Sequence, residues 1–128
     1  MKQAVTLALA GLAGFALGAG AIQGLHAQAN KTAPAYAIAE IEVTDPTAYQ
    51  AYLKKAIDSL EPYHARIIVR SKPNVKEGPA PQGNVVITRF DSLADAEKWY
   101  STPPYKELIA ERQKAAKGRF YIVEGIPE

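Results

Sequence analysis

One histidine, three arginines and a set of helix-spaced tyrosines are the side chains of this sequence best equipped for chemistry. His64 is one of two histidines in the chain and the only one beyond residue 30. Imidazole titrates near neutral pH, so His64 is a candidate general acid or base. The competing reading is a surface residue in a helix-to-strand connection. Arg66 and Arg70 stand four apart in the strand-like run Arg-Ile-Ile-Val-Arg-Ser, a spacing that puts both on one face. Such a pair could clamp a carboxylate or other anion bidentately, or could form cross-strand or intersubunit ion pairs with Glu40, Glu42 or Glu124. Tyr49, Tyr52 and Tyr105 fall on helical stretches, where tyrosines serve either as core with a satisfied hydroxyl or as the wall of a pocket. Arg112, on the same stretch as Tyr105, could reach a carboxylate or a ligand. The candidate catalytic residue is thus His64, and the candidate ligand-binding residues are Arg66, Arg70, Tyr49, Tyr105 and Arg112.

Several chemistries are disfavoured at once. The chain has no cysteine, which removes disulfides, thiolate nucleophiles and zinc–thiolate sites. A single histidine with scattered carboxylates lacks the clustering of a metal centre, so no metal is expected. No Ser-His-Asp or Cys-His order, phosphate-binding glycine loop or dinucleotide fingerprint is present, and no cofactor is expected. Beyond residue 30 the chain carries 14 basic and 13 acidic residues. That balance, with lysines scattered rather than striped, argues against a nucleic-acid partner.

These side chains must be positioned by about a hundred residues, because the first thirty read differently. Met1-Lys2-Gln3 is a short positive start, and Ala4 to Ile22 carries no charge. The small-x-small frame Ala27-Gln28-Ala29 follows, and Leu25-His26-Ala27 is a second, poorer one. Residues 1–29 are therefore expected to be a signal peptide and 30–34 a tether, with the folded domain spanning 35–128 and exported to the periplasm or beyond. The alternative is an uncleaved anchor: the apolar run is about long enough to span a bilayer, and Gly14-x-x-x-Gly18 and Gly20-x-x-x-Gly24 match a small-residue packing pattern. In either case the leader is the chain's sole expected membrane contact.

Tyr36 to Thr44 alternates like a strand, with Ala37, Ala39, Ile41 and Val43 on one face and Tyr36, Ile38, Glu40 and Glu42 on the other. Asp45-Pro46 is a strong helix start. Tyr49, Tyr52, Leu53, Ala56, Ile57 and Leu60 then repeat at spacings of three and four until Pro62. Arg66 to Ser71 predicts a second strand, with Ile67 and Val69 on one face and Arg66, Ile68 and Arg70 on the other. Lys72 to Gly83, with three prolines and two glycines, predicts a loop. Asn84 to Asp91 predicts a third strand. Ser92 and Asp95 mark the start of a helix carrying Trp99, which Thr102-Pro103-Pro104 breaks. A further helix to about Lys117, stopped by Gly118, and a last strand from Arg119 to Glu124 complete the order.

Strand, helix, strand, strand, helix, strand is the order of an α+β ferredoxin-like β-α-β-β-α-β fold, a four-stranded antiparallel sheet with helices on one face. Tyr36, Ile38 and Ile68 make the other face too apolar to stay wet, and a homodimer closed sheet on sheet is the expected solution. The opening Ala35 to Pro46 with Tyr49-x-x-Tyr52 resembles the domain of unknown function 1330 family. So do Arg66-x-x-x-Arg70, Val85 to Phe90, Trp99-Tyr100-Ser101-x-Pro103-x-Tyr105 and the end, Arg112-x-x-Ala115-Ala116 with Val123-Glu124-Gly125. The resemblance spans Pro34 to Gly125 and implies a dimeric α/β barrel with a pocket in each subunit. One departure is that His64-Ala65 and Ser71-Lys72 stand where many members carry glycine pairs. Three functions follow as expectations: a binder of a small anionic or aromatic molecule, a cofactor-free enzyme of the monooxygenase or isomerase kind, or a purely structural dimerisation module.

Overall fold

The computed structural model describes residues 32–128. The expected signal peptide or anchor, and the first residues of the tether, lie outside the described residues. Within them no helix is long and apolar enough to cross a membrane.

Chain order is β1 (Ala35–Val43), α1 (Pro46–Leu60), a short 3-10 turn (Glu61–Tyr63), β2 (Arg66–Ser71), β3 (Asn84–Phe90), α2 (Leu93–Ser101), α3 (Pro103–Ala115) and β4 (Ala116–Glu124). The four strands form one antiparallel sheet in the order β2-β3-β1-β4. This is the α+β ferredoxin-like arrangement, with the second helical segment broken in two. The break is local chemistry. Thr102 is held in an extended conformation by the proline that follows it, and its hydroxyl donates to the Trp99 carbonyl. Asp45 caps α1 by accepting from the Ala48 amide at 3.1 Å, and Ser92 caps α2 by accepting from Asp95 at 3.1 Å. The amides of Thr44 and Asp45 both donate to the Ala115 carbonyl, which ties the entry of α1 to the end of α3.

The core lies between the helices and one face of the sheet. Alanines at 35, 37 and 39 keep the centre of β1 thin, so the large side chains Tyr49, Tyr52, Leu53, Trp99 and Tyr105 can sit close above it. Phe90 and Tyr105 are the largest fully buried side chains. The opposite face presents Tyr36 and Ile38 from β1, Val85 and Ile87 from β3, and Tyr121 and Val123 from β4, with Glu40, Arg89 and Arg119 among them.

Three expectations need correction. Arg66 and Arg70 do not share a face. The β2–β3 register shifts between Ile67 and Val69, so Arg66 stands opposite Arg89 on the open face while Arg70 stands opposite the buried Val86. One extra residue in a bulge inverts every side chain beyond it. Second, α3 ends at Ala115 and β4 begins at Ala116, so Gly118 is a strand residue rather than a helix stop. Its φ is +146°, and a Cβ there would collide with the Glu40 carbonyl oxygen on the neighbouring strand. Third, Glu40 pairs with Arg119 and Tyr121 of β4, not with the arginines of β2.

His64 follows the 3-10 turn at φ 51°, in the left-handed region, with an exposed side chain. Gly118→Ala is expected to destabilise the domain by about 3 kcal/mol or more, because the β1–β4 ladder must shift to admit the methyl. His64→Ala, which keeps a Cβ at an exposed turn, should stay within about 0.5 kcal/mol of the parent. Urea denaturation checks both, and an unchanged midpoint for Gly118→Ala would contradict the close strand approach.

Candidate functional site

The side chains with chemical potential converge between α1, α3 and the helix-facing side of the sheet. Tyr105 projects from the first turns of α3 into the core, where its hydroxyl lies 2.9 Å from that of Tyr52 on α1. Arg112, two turns further along α3, donates from Nη1 to the same Tyr105 oxygen at 2.9 Å. Its guanidinium also lies over the Phe120 ring, 4.7 Å from the centroid, an attractive cation–π placement. The Trp99 and Tyr105 rings pack with centroids 3.8 Å apart, and the Trp99 indole donates to Ser59 Oγ at 3.0 Å.

Arg112 is only 7% exposed, yet none of the ion pairs among the described residues includes it. Its hydrogen-bond acceptor is a neutral phenol. A guanidinium removed from water costs several kcal/mol unless an opposite charge offsets it, and nothing in the described residues supplies one. This is the anomaly of the site.

Arg112 borders a small cavity of about 40 Å³ whose walls include Ala37, Ala39, Ile41, Tyr49, Tyr52, Leu53, Thr88 and Tyr105. Ile41, Tyr49 and Val86 are shared with a wider cleft of about 270 Å³ that also has Pro46, Gln50, Asn84 and Arg70 in its wall. Tyr49 therefore forms part of the wall of both the small inner chamber and the wider vestibule. Burial pushes its phenol up to about 12; Tyr52 adds to the rise, while Arg70 and Arg112 pull against it. Burial also drives the Tyr105 phenol upward, so both rings stay neutral donors at physiological pH.

Of the residues singled out from sequence, the structure brings Tyr49, Tyr105, Arg112 and Arg70 to the walls of these two adjoining cavities. Arg66 lies on the other face of the sheet, and His64 is an exposed turn residue that lines neither cavity. Tyr52 belongs with the first group and was visible as a neighbour of Tyr49 at helical spacing. Gln50, Asn84 and Thr88 carried no signal in the sequence. A second polar cluster lies on the open face. Arg119 contacts Glu40 at 2.7 and 2.9 Å, and the Tyr121 hydroxyl donates to it at 2.8 Å. These two side chains lie over Glu40 and leave it 5% exposed. The Arg119 hydrogen bond, then that of Tyr121, holds its carboxyl below the usual carboxylate range. No group of three or more potential metal ligands occurs among the described residues.

The fold and this helix-to-sheet cleft define a ferredoxin-like α+β domain. The model for "Domain of unknown function (DUF1330)" matches residues 34–126, and the chain belongs to that family. No curated protein matches the chain. A solved protein of unknown function from Rhodopseudomonas palustris is 19% identical, with TM-score 0.61, over 82% of this chain and 94% of its own. SnoaB, a cofactor-independent oxygenase from Streptomyces nogalater, superposes with TM-score 0.55 at 6% identity, over 76% of this chain and 97% of its own. A conserved protein from Bacteroides thetaiotaomicron described as a possible oxidoreductase gives TM-score 0.52 at 10% identity, over 73% and 98%. At these identities the likeness is one of fold.

The Tyr49 shift has a consequence for stability at high pH. An unfolded tyrosine ionises near 10, whereas folded Tyr49 resists ionisation until about 12. The unfolded state therefore gains from ionisation first, and stability that is full below pH 10 is lost as pH rises toward 12. Urea titrations from pH 8 to 12 should show this fall, and Tyr49→Phe should make it shallower, the buried Tyr105 accounting for part of what remains. An identical pH profile for the variant would contradict a buried, neutral Tyr49.

Proposed function

We propose that this chain is an exported, homodimeric domain that binds a small anionic or aromatic molecule in the cleft between α1 and the sheet. The observation that carries the ligand reading is Arg112: a buried cation beside a cavity, hydrogen-bonded to a neutral phenol and without a carboxylate partner among the described residues. An anion entering the chamber would receive a charge-assisted hydrogen bond from a donor whose desolvation cost is already met by the fold. Tyr49, which lines both the chamber and the wider cleft, offers a ring face against which a planar body could pack.

What supports the dimer is the open face of the sheet. Tyr36, Ile38, Val85, Ile87, Tyr121 and Val123 cluster there, and nothing among the described residues covers them. A second copy is the natural occupant for a domain of about a hundred residues, which gains proportionately from further burial. The neutralised Glu40–Arg119–Tyr121 cluster would tolerate being covered, because both oxygens of its carboxylate already accept hydrogen bonds. Export rests on the leader alone.

A second reading is favoured by the hydrogen-bonded chain from Tyr52 through Tyr105 to Arg112. A phenol beside a guanidinium can hold or pass a proton at its oxygen, as a cofactor-free enzyme of this fold class would require. The fold likeness to a cofactor-independent oxygenase is an analogy of architecture, and function must come from the site.

Native mass spectrometry of the mature protein tests both parts of the first reading. The expected result is a dimer retaining a small molecule, or an empty dimer whose melting temperature rises with small organic acids or phenols. Ile87→Asp, at the centre of the open face, should yield a folded monomer or a poorly folded chain. A wild-type monomer would contradict the dimer, and an empty protein unresponsive to every acid and phenol would contradict the ligand.

A further inference from the structure

The inner chamber and the vestibule each hold one arginine, and neither wall includes an aspartate or glutamate. Arg112 borders the chamber. Arg70 borders the vestibule, turned to this side of the sheet by the β2 bulge. Among the described residues no ion pair engages Arg70 either. Between the two cations the wall is mainly apolar: Ile41, Val86 and Ala39, with Tyr49 at the neck.

The sizes of the two spaces differ in a useful way. A water needs about 10–15 Å³ of such volume, so the 40 Å³ chamber accommodates roughly three heavy atoms. That is the size of a carboxylate group. The body of a ligand cannot fit there, but the 270 Å³ vestibule can take it. A molecule that fills both spaces would place one end at Arg112, pass Tyr49, and leave its other end at Arg70.

We infer that the site selects an apolar-bodied dicarboxylate, with one carboxylate in the chamber at Arg112 and the second at the vestibule arginine, Arg70. This rests on the ligand reading above and deepens it, because a binder of anions in general needs Arg112 alone. Arg112 is the anchor: it is buried, and its geometry is fixed by Tyr105 and Phe120. Arg70 is a specificity residue. It is exposed, so its contribution is smaller and screened by salt. Tyr49 packs between the two ends and must turn aside for the ligand to pass.

The probes are matched acids: succinate, glutarate, adipate and terephthalate against butyrate, valerate, hexanoate and benzoate. Calorimetric titration at neutral pH and low salt would be run on the wild-type mature protein and on Arg70→Gln, an exposed substitution that leaves the core intact. Wild type is expected to bind at least one diacid about fivefold or more tightly than its monoacid counterpart, a ratio suited to an exposed charge contact. Arg70→Gln should remove that preference, lowering diacid affinity clearly more than monoacid affinity. Equal affinity for diacids and monoacids, or a preference unaffected by Arg70→Gln, would overturn the dicarboxylate inference and leave the anion site standing. If no acid of either kind bound, the anion site itself would fall and the inference with it.

Discussion

A guanidinium held out of water with no carboxylate beside it is the constraint around which the helix layer of this domain is organised. Arg112 is kept in place by a phenol oxygen on one side and a phenyl face on the other, and each support has its own support. Tyr105 is oriented by Tyr52 and by the ring of Trp99, and Trp99 is fixed in turn by Ser59. The break at Thr102-Pro103 lets α2 and α3 meet at an angle that brings the Trp99 and Tyr105 rings into tilted contact. A fold needing only a packed core would gain by replacing such a charge with a hydrocarbon side chain. The binding role proposed for Arg112 would account for its retention at a stability cost.

The two faces of the sheet divide the work. The face beneath the helices carries small residues at the centre of β1, which leave room for the aromatic cluster and its cavity. The other face carries an apolar patch with an internally neutralised acid at its margin. Membership of the DUF1330 family adds no reaction to this picture; the site must be argued from its own groups.

How much of this was legible in the chain follows from how local each signal is. The β1–α1 unit was readable because alternation, an Asp-Pro cap and a helical tyrosine repeat are contained within short windows, and the capping bonds at Asp45 and Ser92 are where those windows put them. The bulge in β2 was not, because an extra residue in an edge strand is defined only against its partner, and Arg-Ile-Ile-Val-Arg alternates plausibly without one. That single miss moved Arg70 from the open face to the vestibule. Gly118 was misread for a related reason: a glycine after a helix usually ends it, whereas here the glycine is required by the Glu40 carbonyl of a strand nearly eighty residues away. Arg112 could be marked as interesting from its chemistry. That it lacks a counter-charge is a property of the assembled tertiary structure.

The most direct test of the account is the thermal stability of Arg112→Met, measured in the absence and presence of the small acid that binds the parent protein best. Methionine fills similar apolar space without a charge to desolvate, and Tyr105 keeps Tyr52 as its hydrogen-bond partner. The account predicts a ligand-free variant at least as stable as the parent, and a complete loss of stabilisation by the acid. A variant that melts well below the parent, or one still stabilised by the acid, would show that Arg112 serves the core rather than a ligand and would contradict the central claim.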